Sequence, residues 1–202
     1  MANSSKVNIA LSKTNVTGVV FVGDKTSKLP TDGTSALDST FVNVGYISDD
    51  GIENDTDIKT KDVTEMGGRT VLTVISSYSE TYAFTMDETN ATALALRYGT
   101  SNVKTGTDGA ITIDHAMPDG ESKPVVIEIP MTNGKIKRIL IPEASLSDVD
   151  KITYSSGDPI GYSVTLAANA SDSIGGATSR EWITTPTTTT TTTTPTTSGS
   201  GK

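Results

Sequence analysis

Residues 125–141 read VVIEIPMTNGKIKRILI, and this stretch decides the fold class. At its start, large apolar side chains occupy every second position from Val125 to Met131, with Glu128 between two of them. An alternation of this kind is typical of a half-buried β-strand. Asn133-Gly134 follows at once, and Asn-Gly is the strongest short-range signal for a tight hairpin turn. We therefore expect residues 125–131 and 135–141 to pair as an antiparallel hairpin.

Other parts of the chain carry a similar β-strand signature. It occurs at residues 17–22, 42–46, 69–78, 81–86, 111–113, 151–154 and 162–166. Together with the hairpin, these runs give about eight or nine short strands, a number typical of an antiparallel sandwich or barrel. The sequence therefore predicts a mainly β fold, an antiparallel β-sandwich or barrel.

One short amphipathic α-helix is expected after residue 90. Thr89 or Asn90 can cap its start, apolar side chains recur at positions 91, 94, 95 and 98, and Gly99 supplies a stop signal. A single helix of this length cannot form a layer of its own. We expect it to close one end or one face of the sheet.

The segment 48–69, SDDGIENDTDIKTKDVTEMGGR, differs from its neighbours. It is long for a connection and densely charged, and its large apolar residues are Ile52, Ile58, Val63 and Met66. A long protruding hairpin arm, ordered only against another molecule, fits this composition better than a hairpin in the core. We expect Gly67-Gly68 to mark the return of the chain to the body.

The two ends of the chain differ from the domain between them. Residues 184–202, TTPTTTTTTTTPTTSGSGK, contain Thr, Pro, Ser and Gly with a single charge at Lys202. Nothing in this segment can offset the entropy lost on ordering, so we expect an extended, disordered tail. The expected organisation is an N-terminal arm over 1–13, a β domain over 14–183 and this tail. The first residues lack the basic start and apolar run of a secretory signal, which predicts a protein made in the cytoplasm.

The composition excludes several classes of protein. The chain has 24 acidic and 16 basic residues and a net charge of −8, whereas proteins that grip nucleic acid need a basic surface. It has no cysteine and one histidine, His115, which excludes disulfides, thiolate sites and multi-histidine metal sites. No apolar stretch approaches the roughly 18 residues that a membrane span requires. We expect no cofactor, no bound metal and no membrane contact.

Short patterns with the residue types of catalytic motifs are present but weak. Ser101 to Lys104 matches the S-x-x-K pattern of serine acyl enzymes only by sharing Lys104 with a second motif, which those enzymes place on a distant strand. Asp114-His115 has the composition of a general-base pair, yet no serine lies in a nucleophile-elbow pattern. We therefore predict that the protein is not an enzyme.

The clusters of charge have simpler interpretations than ligand sites. Acids at 49–50, 55–57 and 148–150 lack the spacing of an EF-hand, so a role in keeping exposed loops soluble is preferred over weak calcium binding. The densest basic spot is formed by Lys135, Lys137 and Arg138. We expect these residues to guard an exposed sheet edge rather than to bind phosphate.

The order of these features resembles one known family. A strand ending at Val44-Gly45-Tyr46-Ile47-Ser48 leads into Asp49-Asp50-Gly51-Ile52 and the charged arm. Two strands expected to pair, 71–77 and 79–86, come next, followed by Asp87-Glu88-Thr89-Asn90 and the helix. From residue 1 to about residue 172, this order is similar to that of the major tail protein, or tail tube subunit, of long non-contractile-tailed bacteriophages.

The resemblance implies a structural virion protein. Its subunits would assemble in the host cytoplasm into hexameric rings that stack as a hollow tail tube, with inner strands joined edge to edge and DNA passing through as cargo. It also implies contacts with the tape measure, tail terminator and distal tail proteins. Acids facing the lumen would repel the phosphates of DNA. On this interpretation the arm joins subunits, through Asp49, Asp50, Ile52, Glu53, Asp55, Asp57, Ile58, Lys59, Lys61, Val63 and Met66.

Two other functions compete with this interpretation. One is a monomeric, adhesin-like β-sandwich binding module displayed on the Thr-rich segment as a stalk. The composition of that segment favours it, and the missing secretory signal counts against it. The other is a hydrolase built on His115 or Ser101.

Overall fold

The computed structural model describes residues 19–185. The expected N-terminal arm, residues 1–13, and the Thr-rich segment from Pro186 onward lie outside the described residues. The strands of the described part are β1 Val20–Val22, β2 Val42–Asn43, β3 Ile47–Thr64, β4 Thr70–Met86, β5 Val103–Thr105, β6 Ile111–Ile113, β7 Lys123–Pro130, β8 Ile136–Asp148, β9 Tyr162–Asn169 and β10 Arg180–Thr184. The α-helix, α1, is Ala91–Tyr98, and two 3-10 turns lie at Thr100–Asn102 and Asp172–Ile174.

All strand pairs in this part of the chain are antiparallel. The main sheet has the order β2-β1-β7-β8-β9-β4-β3, and β5 and β6 form a separate hairpin. The predicted hairpin around Asn133-Gly134 is confirmed: β7 pairs with β8 from Val125 opposite Ile141 to Pro130 opposite Ile136. The mainly β, antiparallel fold with one helix is also confirmed.

Strand β8 divides the main sheet into two halves. Its first part pairs with β7 and β10, and its last part, residues 143–148, pairs with β9. We call β2-β1-β7-β8-β10 the first half-sheet and β8-β9-β4-β3 the second half-sheet. Because β8 belongs to both, the two halves form one continuous sheet.

The main core lies on one face of both half-sheets. Alternate side chains of β1, β7, β8, β9 and β4 are buried there and pack with Ala93 and Leu94 of α1. A smaller core lies on the opposite face of the first half-sheet, where Val126 and Leu140 meet Phe41 and Ile174. The first half-sheet is therefore covered on both faces, whereas neither core covers the outer face of the second half-sheet.

Helix α1 has the predicted start and end. The side chain of Asn90 caps it, since its Oδ1 accepts a hydrogen bond from the backbone N–H of Ala93 at 2.9 Å. Gly99 ends it with φ of 88°, a conformation that favours glycine. Because Leu94 lies in the main core, the helix closes one face of the sheet, as expected.

Three predictions about strands are wrong. Residues 71–77 and 79–86 are parts of the single strand β4, because Ser77-Tyr78-Ser79 contains no glycine, proline or asparagine that would turn the chain. Residues 151–154 form no strand, since Ile152 packs against the core without joining a ladder. Thr184, expected in the disordered tail, ends β10, where it pairs with Ile136 and its hydroxyl donates to the carbonyl oxygen of Gly33 at 3.1 Å.

The basic residues of β8 do not guard a sheet edge. β8 is an interior strand, with β7 and β10 on its two sides at Lys137 and Arg138. Arg138 is only 5% exposed, and its Nε donates to Oε1 of Glu128 on β7 at 2.7 Å. Lys137 forms an ion pair of 2.8 Å with Glu181 on β10. These side chains therefore join neighbouring strands within the first half-sheet.

Candidate assembly surface

The outer parts of β3 and β4 form a two-stranded arm, and no third strand supports it in the described part of the chain. Glu80 opposite Ala168 is the last pair between β4 and β9, so residues 57–79 extend beyond the sheet. We call residues 57–79 the arm. At about 3.3 Å per residue, its outgoing strand, 57–64, projects by about 25 Å.

The arm has different bounds from the expected segment 48–69. That segment contains most of β3 and the tip, whereas the returning strand is the first part of β4. Gly67-Gly68 lies at the tip and not where the chain returns to the body. There, Gly68 has φ of 82°, and its N–H donates to the carbonyl oxygen of Glu65 at 2.8 Å. A turn this tight needs a positive φ, which glycine adopts without strain.

The arm exposes an unusual number of large apolar side chains. Those more than a third exposed are Ile58, Val63, Met66, Val71, Leu72, Val74, Ile75 and Tyr78. An isolated two-stranded ribbon is marginally stable in water, and contiguous exposed apolar surface marks an interaction site. The arm is therefore the strongest candidate for a contact with another protein surface.

The two faces of the arm differ in chemistry. On one face Ile58 lies opposite Tyr78, and Thr60 lies opposite Ile75. On the other face Lys59 and Lys61 follow Asp57, ahead of Val63. The first face is thus largely apolar, with Asp62 as its charged residue, and the second carries Asp57 and the two lysines beside Val63, Leu72 and Val74.

The expected contact residues fall into four groups. Asp57, Ile58, Lys59, Lys61, Val63 and Met66 lie on the arm, and Glu53 and Asp55 lie on β3 beside the body. Asp49 and Asp50 lie in the irregular stretch of β3 between Ile47 and Ile52. Ile52 is half-buried and packs against the main core, so it supports the base of the arm.

Sequence reasoning predicted a strand over residues 69–78 but not that it is the returning strand of the arm. Val71, Leu72, Val74, Ile75 and Tyr78 form an apolar run that is typical of a buried strand. In the structure they are exposed, because their partner is the charged strand β3 and no element within residues 19–185 covers them. Their position directly after the charged segment could have indicated that they are exposed, since the two strands of a protruding hairpin are exposed together.

The second half-sheet has a free edge at each end in the described part of the chain. At one end, β3 pairs only with β4. At the other end, the ladder of β7 along β8 stops at Ala144, so residues 145–148 pair only with β9. Free edges present unpaired backbone groups that can join another strand.

The outer face of the second half-sheet, which we call the open face, is built from small polar and acidic side chains. Its members, read from the ladder registers, are Glu53, Asp55, Thr81, Ala83, Thr85, Ser163, Thr165, Ala167, Asn169, Glu143, Ser145 and Asp148. The hydroxyls of Thr85 and Ser163 are hydrogen-bonded at 2.7 Å, and Asn169 donates to Ser145 at 2.9 Å. Four of these positions are acidic and none is basic, so this face repels anions.

More acids lie at the end of β3 and β4 opposite to the arm. Burial raises the pKa of Asp87, and the nearby Asp49 and Asp50 carboxylates raise it further. Of these three, none forms an ion pair within residues 19–185. Negative charge is therefore concentrated at the end of the second half-sheet opposite to the arm.

A buried carboxylate, that of Glu80, lies where the arm leaves the body. Glu80 is 7% exposed and accepts hydrogen bonds from the hydroxyls of Tyr82 at 2.8 Å and Thr178 at 2.5 Å. Ser179 and Asn54 donate to it as well, at 3.0 Å and 3.1 Å. Burial alone would raise the pKa of Glu80, but these donors outweigh burial and hold the pKa below its usual value.

We expect the stability effect of Glu80→Gln to depend on pH. At neutral pH the variant loses the charged acceptor, and its free energy of unfolding falls by about 1–3 kcal/mol. Because the pKa of Glu80 is lower in the folded state, its contribution is present above the unfolded pKa and is lost as the pH falls through the folded pKa. Urea unfolding of both chains from pH 7 to pH 3 should show the difference shrinking. A difference that stays constant over this range would contradict the assignment.

The residues considered for catalysis make local packing and pairing contacts. Lys104 forms an ion pair of 2.8 Å with Asp114, and the ring of His115 packs edge-on against Tyr98 with centroids 5.0 Å apart. Ser101 uses its backbone N–H to donate to Asp119 at 3.3 Å. In residues 19–185 no three potential ligands are grouped for a metal ion, and no helix there is long and apolar enough to cross a membrane.

Comparison with known proteins gives one match over nearly the whole chain. The family model for phage tail tube proteins matches residues 2–195. No curated protein matches the chain.

Three solved structures resemble the fold weakly. One is described as the tail of an empty GTA particle with C6 symmetry, with 12% identity, 82% of this chain and 93% of the other covered, and a TM-score of 0.40. Another is the virion of a native gene transfer agent, with 13% identity, coverage of 65% and 85%, and a TM-score of 0.36. The third is the sheath-tube complex of an extracellular contractile injection system, with 9% identity, coverage of 91% and 99%, and a TM-score of 0.45.

Proposed function

Because the chain belongs to the phage tail tube protein family, we propose that its arm and the two free edges of its second half-sheet join copies of it into stacked rings. The protein is a structural subunit of the virion tail and assembles into a hollow tube. What we propose is which parts of the subunit make these contacts.

The arm forms the contact between rings. The observation that carries this step is the exposure of its apolar side chains, among them Ile75 at 69%. A second copy is the natural partner, because the subunit polymerises with itself. The expected contact residues on β3 are joined by those of the returning strand, and Ile52 fixes the base of the arm.

The free edges form the contact within a ring. The outer edge of β3 in one copy pairs with residues 145–148 of the next, which continues the second half-sheet from subunit to subunit. Two different edges make a heterologous contact, and such a contact closes into a ring when the rotation is right. Six copies per ring is the number that the family resemblance implies.

The open face lines the lumen in this arrangement. It is the face of the joined sheet that neither core covers, and its small Thr, Ser and Ala side chains form a smooth wall. Acids without lysine or arginine between them keep DNA phosphates from binding to the wall. DNA is then conducted cargo and not a ligand.

We propose that other proteins of the tail bind to the assembled tube. The tape measure, tail terminator and distal tail proteins would contact the lumen or the ends of the tube.

We propose that the protein has no enzymatic activity, since Ser101, Lys104 and His115 serve local packing and pairing. Membership of the family disfavours the monomeric adhesin-like module.

We expect Ile75→Lys to impair assembly without impairing folding. The concentrated, unaltered chain should show hollow tubes by negative-stain electron microscopy. Lysine at this exposed arm position should raise the concentration needed for tubes at least tenfold, which corresponds to about 1.4 kcal/mol per contact. The thermal midpoint should not change, because Ile75 is not part of the core.

The matched control is Met117→Lys, which makes the same kind of change at an 89% exposed site on the body. It should leave both assembly and the thermal midpoint as they are. If Ile75→Lys assembled as well as this control, the apolar face of the arm would not be a contact between copies.

A further inference from the structure

We propose that Glu80 is a positioning residue for tube assembly, which fixes the direction in which the arm leaves the body. The inference rests on the proposed function in one respect, that the arm is the contact between rings. It assigns to one buried side chain a role that neither the fold nor the exposed surface of the arm explains.

The position of Glu80 in the ladder is the first reason. Glu80 pairs with Ala168 of β9 on one side and with Thr56 of β3 on the other. It is the last residue of β4 with neighbours on both sides, because from Ser79 outward only β3 remains. The sheet therefore changes from three strands to two at this residue, and a two-stranded ribbon without support can bend there.

The partners of Glu80 are the second reason. Asn54 comes from β3 and Tyr82 from β4, whereas Thr178 and Ser179 come from the segment that leads into β10. The carboxylate thus holds both strands of the arm's base and ties them to a segment almost 100 residues further along the chain. No backbone ladder joins that segment to β3 or β4 in residues 19–185.

The chemistry of the site is the third reason. All four partners are neutral donors, and in the described part of the chain Glu80 has no ion pair. A buried carboxylate without a cation is costly unless its oxygens are satisfied by hydrogen bonds. Bending the arm would break several of these bonds together, so the carboxylate resists movement more strongly than a neutral side chain of the same shape.

The test compares three variants of the full chain. Glu80→Gln removes the charge at constant shape, Thr178→Val removes one donor at constant shape, and Thr178→Ser keeps that donor. Glu121→Gln, which removes a surface carboxylate that pairs with Lys25, controls for the change in net charge. Amide hydrogen exchange is measured on unassembled subunits, and the critical concentration for tubes is measured by electron microscopy.

We expect Glu80→Gln and Thr178→Val to lower amide protection at least tenfold at residues 53–57 and 79–82, while protection in β7 and β8 is unchanged. We also expect both variants to raise the critical concentration at least tenfold. Thr178→Ser and Glu121→Gln should behave like the unaltered chain. Thr178→Val keeps the test valid should Glu80→Gln fold poorly.

Two outcomes would overturn the inference. One is an exchange result in which the base of the arm is not selectively loosened. Its protection is then either unchanged or lost equally with that of the whole body, and in the latter case Glu80 contributes only general stability. The other is a loosened base with normal assembly. Because exchange is measured before assembly, the first outcome leaves the arm contact itself untouched, and the Ile75→Lys variant tests that contact separately.

Discussion

A chain in which Asn-Gly replaces residues 58–78 should form no tubes at concentrations at which the unaltered chain polymerises. The replacement joins Asp57 to Ser79, which already face each other in the β3–β4 ladder, and Asn-Gly is the preferred two-residue turn for such a pair. The shortened hairpin keeps Glu80 and every pair between β4 and β9. Only the exposed arm is lost, so the body should remain folded.

The measurement is negative-stain electron microscopy, with circular dichroism and thermal unfolding to check the body. The matched control shortens another hairpin, by replacing residues 106–110 between β5 and β6 with the same Asn-Gly turn, since Thr105 and Ile111 face each other there. The control should assemble normally. Normal tubes from the chain without the arm would rule out the arm as an assembly contact.

Replacing Ala167 with lysine should produce a tube that binds DNA, whereas the unaltered tube lets DNA pass. Ala167 lies in the middle of the open face, and its cross-strand neighbours, Thr81 and Ser145, are small enough to leave room for a longer side chain. Each subunit would add one positive charge to a wall that otherwise presents acids and neutral groups. Phosphate contacts of this kind are strong at low salt and weaken steeply as the salt concentration rises.

The measurement is the binding of a short DNA duplex to purified tubes, with at least tenfold tighter binding expected for Ala167→Lys than for the unaltered tubes at about 50 mM salt. The difference should disappear at high salt. Met117→Lys tubes, which carry the same added charge on the body, serve as the control. If both variants bound DNA equally, the open face would not line the lumen.

The sequence predicted the elements that are defined by local signals. Asn133-Gly134 turns the chain between β7 and β8, and Asn90 and Gly99 bound the helix, because turns and caps depend on a few adjacent residues. The charged segment after Ser48 correctly indicated a protruding hairpin, since its composition leaves little to bury.

The features that were not predicted depend on which strands pair with each other, and no single segment of the sequence encodes the pairing. The apolar run from Val71 to Tyr78 would be a core strand beside an apolar partner, but beside β3 it is exposed. Arg138 suggested an exposed edge, yet its guanidinium is buried because Glu128 on the neighbouring strand neutralises it. Glu80 gave no signal at all, because two of its four partners come from a segment almost 100 residues away.

Strand β8 also determines how the subunit carries mechanical load. Because it is the strand that the two half-sheets share, a pull transmitted from the arm along the backbone ladders of β4 and β9 reaches β7 and β10 through it. A force along the strands loads each ladder in shear, so many hydrogen bonds must fail together, whereas a force across the strands separates them one after another. The subunit should therefore be stiff along its strands and weak across them, and a bent tail would yield first between neighbouring strands.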